Sequence, residues 1–385
     1  MKKVKNLLLV VGSLFILFLF LGACAEEETS QTGAQEEKQV TEQNDNLCGD
    51  GVCDSAEESS GFCSADCGGS ENTVTSTETD DGDDSTPSWI PTNPSNGVWK
   101  SNLYMATSDD GLSFRGKELI VEHVGVPNLL LTSSVELIAT YQYFSYETEE
   151  LFGVIAYSVS EDDGKTWTDP VAVTIEGLPE ATTASPSGPN DVTVTRAVDP
   201  TLVELEDGSL RLYFTYQEVD AADPHLASAI NTDGDISGIF TYEEDSGVVP
   251  AEDAALLDPA VVYFDGLWHY YTWNVAQAGI GGSEPATSQE EYDNYHGTSE
   301  DGLTFTLQDP VTLYMGLLGQ AVALDDGIRF YGTGIKGIVS AFSSDGYTFE
   351  MDEGSRLSGG GGDPGVAQLE DGTYVMIYTG PPSQN

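Results

Sequence analysis

Two short patterns alternate along residues 98–385, and their order dictates a ring. The first is a box of the form Ser/Thr-x-Asp-x-Gly-x-Thr/Ser-aromatic. "VSEDDGKTW" matches it fully through Ser160, Asp162, Gly164, Thr166 and Trp167, and "ATSDDGLSF" through Thr107, Asp109, Gly111, Ser113 and Phe114. The copy at Thr298 has Glu300 in the Asp place, the copy at Phe342 has Ser344, and "INTDGDISGIF" from Ile230 is a degraded fifth. The second pattern is a pair of apolar strands opened by Asp-Pro and joined by a tight acidic-Gly turn. It reads "VDPTLVELEDGSLRLYFTY" from Val198, "LDPAVVYFDGLWHYYTW" from Leu257 and "GDPGVAQLEDGTYVMIYTG" from Gly362. Weaker forms are "VPNLLLTSSVELIATYQYF" from Val126 and "GQAVALDDGIRFYGTG" from Gly319.

The series starts with an orphan box and ends with an orphan pair, five of each. A β-propeller accounts for this: two strands of each blade come from a pair, two flank a box, and the orphans close one blade. Such closure joins the ends of the domain and removes two exposed edges. Helix-length amphipathic runs are absent, and β-branched and aromatic runs alternate with Gly, Asp and Pro, so the domain reads as all-β. Five blades are expected; a six-bladed ring would need a further pair.

Outside this domain the texture differs. Lys2, Lys3 and Lys5 precede an apolar run from Leu7 to Leu21 that ends "LGAC", with Cys24 followed by "AEEETS". This is the layout of a signal peptide. Its end resembles the lipobox of bacterial lipoproteins, which implies cleavage after residue 23 and lipidation of Cys24, hence a protein tethered to the cell envelope and facing outward. Residues 24–47 and 68–97 are Glu-, Ser-, Thr- and Asp-rich linkers with too few apolar groups to offset their ordering entropy. Between them, residues 48–67 hold Cys48, Cys53, Cys63 and Cys67. An even cluster in an exported chain reads as two disulfides of undetermined pairing. The stretch resembles Cys-rich modules of the "CGDGxC…CxxDC" type, which implies calcium on Asp50, Asp54, Glu57 and Asp66. No cofactor is otherwise required.

The chain carries 13 basic against 65 acidic residues, a formal charge of −52. That charge repels nucleic acid and anionic surfaces, so the membrane partner is reached through lipid alone. A monomer is expected.

The boxes resemble the Asp-box, or BNR, repeat of sialidases, and the Asp-Pro pairs resemble those of five-bladed glycosidases such as family 43. The resemblance implies that the box is structural: its Asp accepts backbone hydrogen bonds, its Gly takes positive φ and its aromatic packs between sheets. It also implies that innermost strands start at the central channel. Asp199, Asp258 and Asp363 should then share one axial region, with Asn128 and Gln320 at the corresponding places in the other two blades. Converging carboxyls are what glycoside hydrolysis needs, one protonated and one ionised. In the resembled family the base opens the first blade; here that place falls on Asn128, which is no base. Asp199 or Asp258 would take that role, with Glu218 in "TYQEVD" as the acid. Arg196 and Trp273 complete the substrate-binding set with Asn128 and Gln320. Of Arg115, Arg196, Arg211, Arg329 and Arg356, only Arg196 lies near an axial Asp in sequence, and no Arg-Ile-Pro element is present. An exo-sialidase is therefore the least favoured reading. His225, His269 and His296 are too scattered for a metal triad.

The expected function is that of an envelope lipoprotein whose propeller binds an extracellular glycan and, on the enzyme reading, hydrolyses it. The rival is a non-catalytic propeller that binds a glycan or a protein.

Overall fold

The computed structural model of the chain describes residues 87, 89–91, 97–182, 194–219, 223–244, 246–248, 256–274, 292–313, 315, 317–334, 337–358 and 361–382. The signal peptide, Cys24, Cys48, Cys53, Cys63, Cys67, the acidic residues Asp50, Asp54, Glu57 and Asp66, and nearly all of both linkers lie outside the described residues.

Five antiparallel sheets form five blades. Blade one is built from Val124–Leu131, Leu137–Phe144, Phe152–Ser160 and Val171–Ala172, from the axis outward. Blade two follows with Val198–Glu204, Leu210–Tyr216, His225–Asn231 and Ile239–Tyr242, and blade three with Leu256–Phe264, Leu267–Asn274, Tyr292–Ser299 and Thr304–Leu307. Blade four is Leu317–Leu324, Gly327–Gly334, Gly337–Ser343 and Glu350–Met351. Blade five takes its inner strands, Gly362–Gln368 and Tyr374–Gly380, from the end of the domain and its outer strands, Asn102–Ser108 and Arg115–Val121, from the start. The two ends pair in continuous antiparallel register from Asn102↔Gly380 to Ser108↔Tyr374, which is the closure expected from the orphan box and orphan pair. Short parallel strands, Thr174–Glu176 on blade two and Gly247–Val248 on blade three, cover outer edges that would otherwise offer unpaired backbone.

The core is divided among the blade interfaces. Leu103, Leu129, Tyr141 and Ile377 fill the space between blades five and one, Ile138, Leu212 and Phe240 that between one and two, and Tyr213, Tyr270 and Phe305 that between two and three. Blades three and four meet through Tyr271, Phe330 and Ala341, and four and five through Tyr104, Tyr331 and Met376.

The boxes are turns at the outer end of each third strand, but their register differs from the expected one. In "ATSDDGLSF" the acceptor is Asp110, not Asp109: its Oδ1 takes the N–H groups of Leu112 and Ser113 at 2.8 and 2.9 Å, and Ser108 Oγ takes Gly111 N–H at 3.0 Å. Asp301 and Asp345 do the same with Ser299 and Ser343. The copies at Thr298 and Phe342 are therefore intact, and Glu300 and Ser344 are only spacers. The box of blade one has one residue more, absorbed by Asp163 at φ 61°, so there Asp162 does serve Thr166 N–H at 2.8 Å. Donated backbone N–H groups hold these carboxyls below the ordinary range.

Candidate active site

Each innermost strand breaks register near its start. In blades one, two, three and five, two residues oppose one on the second strand: Val126–Pro127, Asp199–Pro200, Asp258–Pro259 and Asp363–Pro364. A bulge suits this dipeptide, because the proline has no N–H to give the ladder. The residue before each proline takes positive φ: Val126 47°, Asp199 55°, Asp258 52° and Asp363 45°. Left-handed backbone costs a non-glycine residue roughly 1–2 kcal/mol. Val126 shares the strain without a functional group, so the strain belongs to the ring itself and does not by itself mark chemistry.

This register corrects the sequence expectation for two blades. The counterpart of Asp199, Asp258 and Asp363 in blade one is Val126, not Asn128, and in blade four the bulge is Gly319 alone. Asn128 and Gln320 instead occupy the first ladder position after the bulge, where the other blades have Thr201, Ala260 and Gly365. They form a girdle around the axis. Asn128 Oδ1 accepts Leu202 N–H of blade two at 3.0 Å, and Thr201 Oγ1 donates to Pro259 O of blade three. Gln320 accepts Val366 N–H of blade five at 3.0 Å and grips Leu129 of blade one through both its N–H and C=O. Glycine is required where it reaches past: a Cβ on Gly365 would lie 2.9 Å from Leu129 N, and one on Gly319 2.6 Å from Tyr331 O.

Because all innermost strands start at the same end, the three aspartates share one mouth. They line a narrow recess together with Val126, Asn128 and Gly319. The Asp258 carboxyl is hydrogen-bonded to that of Asp199, and the Asp258 N–H goes to Thr215 Oγ1 at 3.3 Å, whose hydroxyl turns to Asp199. Burial, the negative charges of Asp199 and Asp363, and the bond to Asp199 hold Asp258 well above the usual carboxylate range. Burial also raises Asp199, against the hydrogen bonds it accepts. Asp363 is pushed up to about 6 by burial and then by Asp199, opposed by Thr333 and Thr379, whose hydroxyls lie 3.5 Å from its two oxygens.

Thr215 and Thr333 were not singled out from the sequence. Each stands on the second strand of one blade and accepts the N–H of the axial aspartate of the next, Asp258 at 3.3 Å and Asp363 at 2.9 Å. The available signal was the recurring threonine in "YFTY", "YGTG" and "IYTG".

The other expected site residues lie apart from this cluster. Glu218 follows the second strand of blade two on the same face, but its carboxylate accepts Tyr242 O–H at 3.3 Å on the fourth strand, and it does not line the recess. Arg196 is exposed and gives its guanidinium to Phe152 O. Trp273 opposes Leu257 in the ladder; its side chain lies outside the described residues. His269 and His296 face each other with ring nitrogens 3.0 Å apart between blades three and four, and His225 opens the third strand of blade two. Among the described residues no cluster of three or more His, Cys, Asp or Glu has the arrangement of a metal site.

No family model matches the sequence, and no curated protein matches it. Several solved structures resemble it. A β-xylosidase shares 14% identity at a TM-score of 0.47, over 68% of this chain and 93% of the other. An endo-arabinase from Bacteroides thetaiotaomicron gives 15%, 0.46, 68% and 90%, and a family 117 glycoside hydrolase from the marine bacterium Zobellia galactanivorans 12%, 0.42, 74% and 86%. The five-bladed assignment rests on the sheets and their closure, not on these scores.

Proposed function

We propose that the propeller binds a glycan and hydrolyses it at the axial recess, within a protein held to the outer side of the cell envelope through Cys24. The observation that carries the catalytic part is the meeting of Asp258, Asp199 and Asp363 at one mouth of the ring, where burial and the neighbouring carboxylates raise Asp258 well above the usual carboxylate range. Two carboxyls bonded to each other cannot flank a glycosidic bond, so Asp199 and Asp258 act as one proton-holding unit and Asp363 as the opposing group. Asp258 gives its proton to the leaving glycosidic oxygen as the C–O bond breaks. Asp363, ionised above about pH 6, takes a proton from the water whose oxygen bonds to the anomeric carbon. Asp199 and Thr215 hold Asp258 in place. Glu218, tied to Tyr242, has no part in this scheme. The lipid anchor is supported by the "LGAC" ending alone.

A non-catalytic glycan-binding propeller is the second reading. It is favoured by Val126, which puts an apolar group where three other blades present a carboxyl. One assay separates the two. Purified protein is incubated with aryl glycosides and neutral polysaccharides, and released reducing ends are measured for wild type, Asp258→Asn and Asp363→Asn. Hydrolysis by wild type, lost at least 100-fold in both variants, supports the enzyme; intact substrates with one polysaccharide bound support the binder.

A further inference from the structure

Three blade interfaces are closed by a tyrosine from one blade that donates to the box glycine carbonyl of the next. Tyr213 bonds Gly302 O at 2.8 Å, Tyr271 bonds Gly346 O at 2.7 Å and Tyr331 bonds Gly111 O at 3.0 Å. In blade one the same ladder position is Thr140, fully buried, with a hydroxyl that has no partner. The facing turn of blade two is also longer: six positions separate Gly234 from Phe240, against three between Gly302 and Phe305. The interface of blades one and two also carries an open groove of about 810 Å³, far larger than the axial recess. The groove lies by the box turns, at the end of the strands opposite the aspartates. Ile138, Tyr157 and Trp167 line it together with the carboxylates of Glu136, Glu161 and Asp235, and among the described residues no Lys or Arg does.

We propose that this groove is a second carbohydrate site, one that holds a stretch of neutral polysaccharide. Aromatic and aliphatic side chains suit the C–H faces of sugar rings, and carboxylates accept hydrogen bonds from sugar hydroxyls. Anionic glycans are excluded by three lining carboxylates on a chain of net charge −52. The volume accommodates several consecutive sugar rings, whereas the axial recess is a narrow terminus. The site stands whether or not the aspartates are catalytic, and on the hydrolytic reading it would keep a polymer on the surface between cleavages.

Isothermal titration of the full chain with xylohexaose and cellohexaose as neutral probes, and hexalysine as a cationic one, tests this. At least one neutral hexaose should bind wild type and Asp258→Asn equally. Val171→Arg and Ser237→Trp, both at exposed groove positions, should each weaken that binding at least tenfold with an unchanged melting temperature. Aryl glycoside cleavage, if wild type shows it, should be unaffected by either groove variant. The proposal fails if neither hexaose binds, if neutral binding survives both groove variants, or if only hexalysine binding responds to them. Loss of hexaose binding in Asp258→Asn alone would place the sugar at the axis and overturn the groove without touching the axial reading.

Discussion

Gln320 of blade four holds Leu129 of blade one as a base pair holds its partner: Nε2 donates to Leu129 O at 2.8 Å and Oε1 accepts Leu129 N–H at 3.0 Å, 191 residues away in sequence. The same oxygen takes Val366 N–H of the blade between them. Three blades thus meet on one amide, and the ring is locked at its axis as well as by its outer closure.

Removing that amide should loosen the ring. Gln320→Ala leaves two backbone N–H groups and one carbonyl without partners near the axis, at about 1 kcal/mol or more each, so a loss of about 2–4 kcal/mol is expected. Urea unfolding gives the value; a loss under about 1 kcal/mol would mean that the girdle is redundant.

The box register is open to a paired test in blade three. Asp301→Ala removes an acceptor for Leu303 N–H at 2.9 Å and a partner of Ser299, and should cost about 1–2 kcal/mol. Glu300→Ala, at the position first matched to the motif, should stay within about 0.5 kcal/mol. Equal effects in thermal unfolding would contradict the turn described above.

Asp363 makes a prediction with opposite signs for stability and activity. Its folded pKa of about 6 exceeds the unfolded value of about 3.9, so the native state holds the proton more tightly. The stability this contributes is full below about pH 4 and is lost as pH rises through about 6. Asp363→Asn, which cannot ionise, should match wild type near pH 4 and exceed it by about 2 kcal/mol at pH 8, a figure reduced for partial contact with solvent. Hydrolysis by wild type should rise as Asp363 ionises and fall where Asp258 loses its proton, a bell-shaped profile. Unfolding curves and rates across pH 4–9 check both.

Blade three should fail in acid. Blades two and four carry an ion pair at one ladder site: Arg211 with Glu243 at 2.9 Å, and Arg329 with Asp352 at 3.1 Å. In blade three that site holds His269, with His296 beside it. Burial, then the neighbouring His269, lowers His296 to about 3. A base whose folded pKa is depressed loses stability as pH falls below its unfolded value of about 6.5, by about 2 kcal/mol at pH 5. His296→Gln should flatten the pH dependence of stability between about 6.5 and 5 relative to wild type. An unchanged slope would show that other groups govern acid unfolding.

Much of this architecture was legible in the amino-acid sequence because its signals are local. A turn needs its Asp and Gly within a few residues, a strand pair needs alternating apolar groups around a tight turn, and the order of the two patterns is enough to count five blades and place the closure. The three Asp-Pro dipeptides announced themselves for the same reason, since a proline inside a strand forces a bulge wherever it falls. What only the tertiary structure decided lies one residue, or one blade, away. A bulge shifts register without leaving a mark in composition, so Val126 rather than Asn128 takes the place that matches Asp199, and Asp110 rather than Asp109 holds its turn. The raised pKa of Asp258, the two buried histidines and the groove between blades one and two depend on which side chains meet across blade interfaces, contacts between residues tens to hundreds of positions apart. Burial and charge are properties of those meetings, and no single stretch of chain contains them.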